Sequence, residues 1–270
     1  MLVREDYKKE LEYPNRTISI RDKDKKLVKR IQEWICLNKY HTPNWDIEVD
    51  IDGSYGQITS SAIYDFQELY GIDNPSGNVD SKTWYLLTLP LQKAFTKKDF
   101  ADKIEYKERV VSYMEQFVSQ HPTELFQNSG AWVRSFMKGK EGSWAAWCCG
   151  TLCTAMDHAA DSMGKSMSEW IDWTWSCDEL LKSARNSSKA TYYSPKQIKE
   201  NPHLVSRGDI FLVMKSSSDA THTGIISDVD GDVMKTIEAN TNDEGSREGY
   251  EMCKRFRKIS SGKYGIIKLL

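Results

Sequence analysis

The chain has 270 residues, with 37 lysines and arginines against 39 aspartates and glutamates and a formal net charge of -2. That balance excludes the basic excess expected of a nucleic-acid-binding protein. No stretch approaches the roughly 20 consecutive apolar residues of a membrane-spanning helix, so no membrane insertion is expected either.

The length suits two modest domains, each with its own core. The start, Met1 to Glu10, is charged and lacks the apolar segment of a secretory leader, so synthesis in a cytoplasm is expected. The six cysteines (Cys36, Cys148, Cys149, Cys153, Cys177 and Cys253) include a crowded group of three, which argues for free thiols rather than a disulfide framework.

Residues 1–23 read as a polar arm. From Asp24 the pattern changes: Leu27, Ile31, Trp34 and Ile35 recur at helical spacing and predict a helix to about Leu37. A glycine-bearing loop, Asp50-Ile-Asp-Gly-Ser-Tyr-Gly56, leads to a second helix with Ile63, Phe66 and Tyr70 on one face and Thr59 or Ser60 as its cap. A second turn-rich loop, Gly71 to Asp80, precedes a short third helix over Ser81 to Leu87. The Asp50-x-Asp52-Gly sequence lacks the closing glutamate of a calcium loop and reads as a turn.

This unit, residues 24–92, resembles the peptidoglycan-binding domain found beside cell-wall hydrolases. The resemblance is carried by Val28, Gln32 and Asn38, by Asp52-Gly-Ser-Tyr-Gly56, by Thr59, Ala62, Phe66-Gln67 and Gly71-Ile72, and by Gly77 and Thr83-Trp84. The loop from Lys39 to Val49 is longer than the family usually carries. The resemblance implies peptidoglycan as partner, with Tyr55 and its loop assigned to the wall. Trp34, Ile63, Phe66 and Trp84 are assigned to the core.

Residues 93–103, rich in lysine and aspartate, are expected to form a linker. From 104 to 119 an amphipathic helix is expected, with Val110, Met114 and Phe117 on one face. Short apolar chain over 131–137 follows, then a buried helix from Cys148 to about Ala160. A helix carrying Trp170, Trp173 and Trp175 is expected to end near Asn186. After Pro202 the period changes to two: 210–214, 223–227, 233–240, 249–256 and 264–269 read as strands, with Asp230-Gly231 as a hairpin turn. Helices first and an antiparallel sheet afterwards is an α+β order.

The chemistry lies in Trp147-Cys148, His222-Thr-Gly-Ile-Ile and Ile237-Glu-Ala-Asn240. A cysteine acts as a nucleophile when it is thiolate, which a helix N-terminus or a neighbouring histidine favours. The histidine needs a group that fixes its ring, and Glu238 and Asn240 would face the same side of a strand. The pattern predicts a cysteine hydrolase that uses no metal and no cofactor. Cys149 follows Cys148, but adjacent helical residues point about 100° apart, so one of the two faces the histidine, and the Trp-Cys register selects Cys148.

Residues 104–270 resemble a CHAP domain, a papain-like cysteine amidohydrolase/peptidase of the NlpC/P60-like group. The carrying motifs are Asn128-Ser-Gly-Ala-Trp132, Trp147-Cys148, Gly208-Asp-Ile-Phe211, His222-Thr-Gly-Ile225 and Ile237-Glu-Ala-Asn-Thr241. The resemblance implies Cys148 as nucleophile, His222 as base, and Glu238 and Asn240 as its assistants, with Trp147 placed beside the substrate. Together the two resemblances imply a peptidoglycan hydrolase. N-acetylmuramoyl-L-alanine amidase is marginally preferred over a stem or cross-link endopeptidase. A phage endolysin and a delivered antibacterial toxin with a cognate immunity protein are equally expected settings, each acting on the wall after release or delivery. An inactive wall-binding protein and a cysteine acyltransferase are the alternatives.

Overall fold

A computed structural model of the chain describes residues 9–42, 45, 47–242 and 249–270. The first eight residues of the polar arm and positions 43, 44 and 46 of the long loop lie outside them.

Helix α1 (Lys25–Asn38) starts where the periodicity places it, because the Asp24 carboxylate accepts the Leu27 N–H and satisfies one of the unpaired donors of the first turn. Helix α2 (Gln57–Leu69) starts earlier than expected, from Gly56. Thr59 and Ser60 lie inside the helix rather than capping it. Both are buried, and the Ser60 hydroxyl donates to the Gly77 carbonyl at 3.1 Å. Helix α3 (Ser81–Leu87) is capped by Asp80, which accepts from Thr83 N at 2.8 Å.

Helix α4 (Leu89–Ala94) runs into the segment expected as a linker, with Pro90 in its first turn. The rest of that segment is held down. Phe95 is buried against Phe117 and Phe136, at 5.7 and 5.9 Å between ring centroids. The Gln116 amide donates to the carbonyls of Lys93, Ala94 and Thr96. Lysine and aspartate content suggested a solvated tether, but a buried aromatic anchors the chain in its place.

The second half alternates helices with one sheet. Helices α5 (Tyr106–Val118), α6 (Ala131–Phe136) and α7 (Cys148–Asp161) come first, and α5 packs along α7. The tryptophan-rich stretch is not one helix. A 3₁₀ turn over Met167–Glu169 and irregular chain carry Trp170, Trp173 and Trp175, and helix α8 spans only Cys177–Asn186, capped by Ser176.

Strands β1 (Ala190–Tyr193), β2 (Ile210–Met214), β3 (Ala220–Asp230), β4 (Val233–Thr241), β5 (Glu251–Lys258) and β6 (Tyr264–Leu269) form one antiparallel sheet in the order β1-β6-β2-β3-β4-β5. Period-two alternation sends Ile210, Leu212, Ile225 and Ile237 into the core shared with the helices. Phe211, Ile226, Met234 and Ile266 face the smaller core on the other side, closed by helix α9 (Pro195–Glu200) through Ile198. β1 and α9 were not foreseen. The architecture is α+β, a helical N-terminal unit followed by helices on an antiparallel sheet.

The larger core is continuous from Ile18 to Leu269 and so crosses the expected domain boundary. Trp34 of α1 meets Trp132 of α6 edge-on at 6.0 Å. Arg134 of α6 pairs with Glu10 at 2.8 Å and with Glu33 of α1 at 2.5 Å, and it also holds Glu141 at 2.9 Å. No described helix is long and apolar enough to cross a membrane.

Candidate active site

Cys148 is the first residue of α7, where the unpaired backbone N–H groups and the helix dipole favour a negative charge. The helix is set there by Trp147. Its indole is fully buried, stacked on Phe136 with centroids 6.0 Å apart, and its Nε1 donates to Glu124 at 2.9 Å. The Thr151 hydroxyl donates back to the Trp147 carbonyl at 2.8 Å. Trp147 therefore offers no surface to a substrate, and the expectation that it binds one is corrected: it is the packing anchor of the helix start.

Cys148 opens into a cavity of about 450 Å³ that His222 and Asn240 also line. On the sheet, His222 Nε2 and Glu238 Oε2 lie 2.8 Å apart, which leaves the other ring nitrogen for the thiol. The strand register explains how the glutamate reaches the histidine. Gly224 stands opposite Glu238 across the β3–β4 ladder, and a Cβ there would come within 3.0 Å of the Glu238 Cγ and 2.6 Å of the Ile237 carbonyl. The glycine two residues after His222 makes room for the carboxylate to turn diagonally toward the imidazole.

Glu238 is fully buried and has a second partner that sequence reasoning missed. Arg257 of β5 donates Nε to Oε1 and Nη2 to Oε2, each at 2.5 Å, and the Thr236 hydroxyl also donates to Oε1. The guanidinium lies over Phe211 at 5.0 Å and Tyr264 at 5.7 Å. Burial alone would raise the Glu238 pKa, but hydrogen bonds from Arg257 and His222 hold it down to about 2. Burial likewise pulls His222 down, and its hydrogen bonds with Cys148 and Glu238 overcome that and push it up to about 9. The site therefore keeps an ionised carboxylate beside a readily protonated imidazole. Between Glu238 and Asn240 as partners of His222, the geometry selects Glu238.

Asn240 sits at the end of β4 with a left-handed backbone, φ 56°, and its side-chain carbonyl is buried with no hydrogen-bond partner among the described residues. A second thiol also reaches the site. Cys177, first residue of α8, lies 4.0 Å from Cys148, sulfur to sulfur. Hydrogen bonds from Cys148 and Cys149 hold Cys177 down to about 5, while its contact with Cys177 and then burial hold Cys148 up. The contact between Cys148 and Cys177 moves the two thiols in opposite directions, and of them Cys148 lines the cavity with His222. The set of a helix-borne thiol, an imidazole and a buried carboxylate is one that can attack an acyl carbon and pass a proton to a leaving amine. Among the described residues no three histidine, cysteine or acidic side chains gather as metal ligands.

In the N-terminal unit the motif residues build two similar loops. The Gln32 amide donates to Asp52 at 2.9 Å and accepts from Gly53 N at 2.8 Å. Gln67 donates to the Asn78 carbonyl at 2.8 Å and accepts from Ser76 N and Gly77 N at 2.8 and 3.0 Å. Both glycines hold positive φ, 80° and 68°, pressed against α1 and α2 respectively. Residues 25–87 match the family model of the putative peptidoglycan binding domain. No curated protein and no solved structure matches the chain. The peptidoglycan-binding domain makes peptidoglycan the supported partner and cell-wall association the supported role. The assignment of Tyr55 within it is corrected: the ring is buried and its hydroxyl donates to the Gly77 carbonyl at 2.9 Å, so it ties the two glycine loops together instead of meeting the wall.

Proposed function

We propose that the chain is a cysteine peptidoglycan hydrolase whose second half is a CHAP-type, papain-like domain. The observation that carries this reading is Cys148 at the start of α7, sharing a cavity with His222, whose Nε2 is held by the buried Glu238. The peptidoglycan-binding domain at 25–87 supplies the polymer.

In this mechanism His222 holds the proton of Cys148 as the thiolate attacks an amide carbonyl of the wall. The tetrahedral oxyanion is met by backbone N–H groups at the start of α7, including that of Cys148. His222 then protonates the departing amine, leaving a thioester on Cys148. A water molecule, deprotonated by His222, releases the acid and restores the thiol. Glu238 keeps the imidazole in the required tautomer and stabilises its protonated form. Because the two halves share one core, the wall-binding unit presents the polymer at a fixed orientation rather than on a loose tether.

The test is clearing of purified wall suspensions followed by turbidity. The full chain is expected to clear them. Cys148→Ala and His222→Ala are expected to bind walls in a sedimentation assay yet clear them at least about a thousandfold more slowly, the scale on which such nucleophile–base pairs act. Equal clearing by Cys148→Ala would refute the reading.

A further inference from the structure

Two thiols meet at the candidate nucleophile, and they arrive from different elements. Cys148 is the first residue of α7 and Cys177 the first residue of α8, and their sulfurs lie 4.0 Å apart. Both are free thiols. Helix α8 is fastened beside the site, since the Asp178 carboxylate accepts the Ala220 N–H at 2.6 Å, at the start of the strand that carries His222. A disulfide holds its sulfurs about 2.05 Å apart, so a further approach of about 2 Å is needed. The chain entering α8 gives room for it: residues 171–176 are irregular, and Asp172, Trp175 and Ser176 are exposed.

Access decides which sulfur meets a dissolved oxidant first. Among the described residues Cys148 is the cysteine that lines the cavity. Cys149 also touches Cys177, but it is fully buried and its thiol donates to the Thr174 carbonyl at 3.5 Å. His222, hydrogen-bonded to Cys148 on the same cavity, takes its proton, so the sulfur reacts as thiolate. Cys177 stands behind Cys148, and hydrogen bonds from Cys148 and Cys149 hold it down to about 5. An accessible thiol with a second, readily ionised thiol against it is the arrangement that traps a sulfenic acid as a disulfide.

We propose that Cys148 and Cys177 form an oxidation site, at which hydrogen peroxide joins the nucleophile to its neighbour in a disulfide that a thiol reductant reopens. The effect on activity rests on the reading of Cys148 as the nucleophile of a wall hydrolase; the bond itself does not. In the first step the Cys148 thiolate, its proton taken by His222, attacks one peroxide oxygen. The O–O bond breaks, and the departing hydroxide takes the proton from His222 and leaves as water, with a sulfenic acid on Cys148. In the second step the Cys177 thiolate attacks the sulfenic sulfur, the S–O bond breaks, and the hydroxide leaves as water with a proton returned through His222. Together two thiols and one peroxide give one disulfide and two waters, both sulfurs oxidised and both peroxide oxygens reduced. Hydrolysis stops because Cys148 has no free thiolate. Without Cys177 the sulfenic acid meets further peroxide and becomes a sulfinic acid, which thiols do not reverse.

The full chain is treated with hydrogen peroxide, its remaining thiols are blocked, and an unreduced digest is mapped by mass spectrometry. The expected product is a cross-link between the peptide of Cys148 and the peptide of Cys177, absent from Cys148→Ala. Clearing of wall suspensions should fall at least about tenfold as the cross-link forms and return with dithiothreitol to within about twofold of the untreated rate. In Cys177→Ala clearing should fall as far from its own untreated rate and stay down, with Cys148 carrying the added oxygens of a sulfinic or sulfonic acid. No cross-link in the wild type, a cross-link that survives Cys148→Ala and so runs through Cys149, or recovery of Cys177→Ala by dithiothreitol would overturn the proposal. The cross-link is read by mass in the wild type, so misfolding of a variant cannot mimic its result. Walls left intact by the untreated chain would refute the hydrolase reading instead, while the presence or absence of the cross-link would still decide the oxidation site.

Discussion

Replacing Arg257 with methionine tests the electrostatics of the site without touching the thiol or the imidazole. The guanidinium makes both of its contacts to Glu238 at 2.5 Å, and Glu238 is fully buried. Removing one partner of a buried pair typically costs about 3–5 kcal/mol, because the other charge is left in a poor solvent. Here His222 and Thr236 still donate to the carboxylate, so the lower end, about 3 kcal/mol at pH 7, is expected. The pH dependence gives the same scale. An unfolded glutamate titrates near 4.5 and Glu238 is held down to about 2, a difference worth about 3 kcal/mol. Because the folded value is the lower one, this stability is present above the unfolded pKa and is lost as pH falls toward 2. Urea unfolding of the full chain between pH 7 and pH 2.5 measures both quantities. The wild type is expected to lose the Glu238 contribution on the acid limb, whereas Arg257→Met starts lower and loses less of it. Arg257→Lys is expected to recover little, since an ammonium cannot span both oxygens. Stability at pH 7 within about 0.5 kcal/mol of wild type, the range of an uninvolved surface change, with an unaltered acid limb would refute this account of the buried carboxylate.

Three further outcomes follow from the same structure. Gly224→Ala places a Cβ 2.6 Å from the Ile237 carbonyl and 2.8 Å from the Phe211 ring, so a loss of about 2 kcal/mol in urea unfolding is expected, with a larger fractional loss of wall clearing because Glu238 is displaced. Cys177→Ala removes the chief group holding the Cys148 thiol up, so iodoacetamide should alkylate Cys148 at lower pH than in the wild type; an unchanged rate–pH profile would contradict that coupling. Arg134→Met leaves the buried Glu33 without its cation, while Glu10 keeps Arg30 at 3.3 Å, and about 3 kcal/mol of stability should be lost in a single unfolding transition, as one continuous core requires. Two separated transitions in the wild type would show that the halves fold independently.

The sequence carried the site to the extent that local pattern encodes it. Helix start, strand period and motif order single out Cys148, His222 and Glu238 as candidates, because each lies in a short segment with its own spacing rule. The groups that complete the site come from elsewhere in the chain and have no local signature. Arg257 lies in Lys254-Arg-Phe-Arg-Lys258, which reads as a solvated face. Only the sheet shows that Arg255 and Arg257 turn inward while Lys254, Phe256 and Lys258 stay exposed. Alternation of arginine with lysine was the available signal, and the outward Phe256 masked it. Cys177 belongs to no local motif, and packing of α8 brings it to Cys148 across 29 positions. Glu124 is a lone carboxylate in a loop, which nothing nearby in sequence distinguishes.

The errors share a cause. Motif membership points Tyr55 and Trp147 to the surface, while the fold holds them inside by a hydrogen bond each and by the apolar area they bury. The expected linker failed for the same reason, since charge content outweighed a single buried Phe95 in the reading. The tryptophan-rich segment was given a helix by residue type, where Trp170 and Trp173 instead fix irregular chain against the body of the protein.

The most direct measurement is mass spectrometry of the products released from purified sacculi, of both diaminopimelate and lysine type, by the full chain and by Cys148→Ala. The hydrolase reading predicts cleaved wall amides with the wild type and none with the variant. Intact walls after treatment with either protein, or identical products from both, would contradict it and leave a protein that binds peptidoglycan without cutting it.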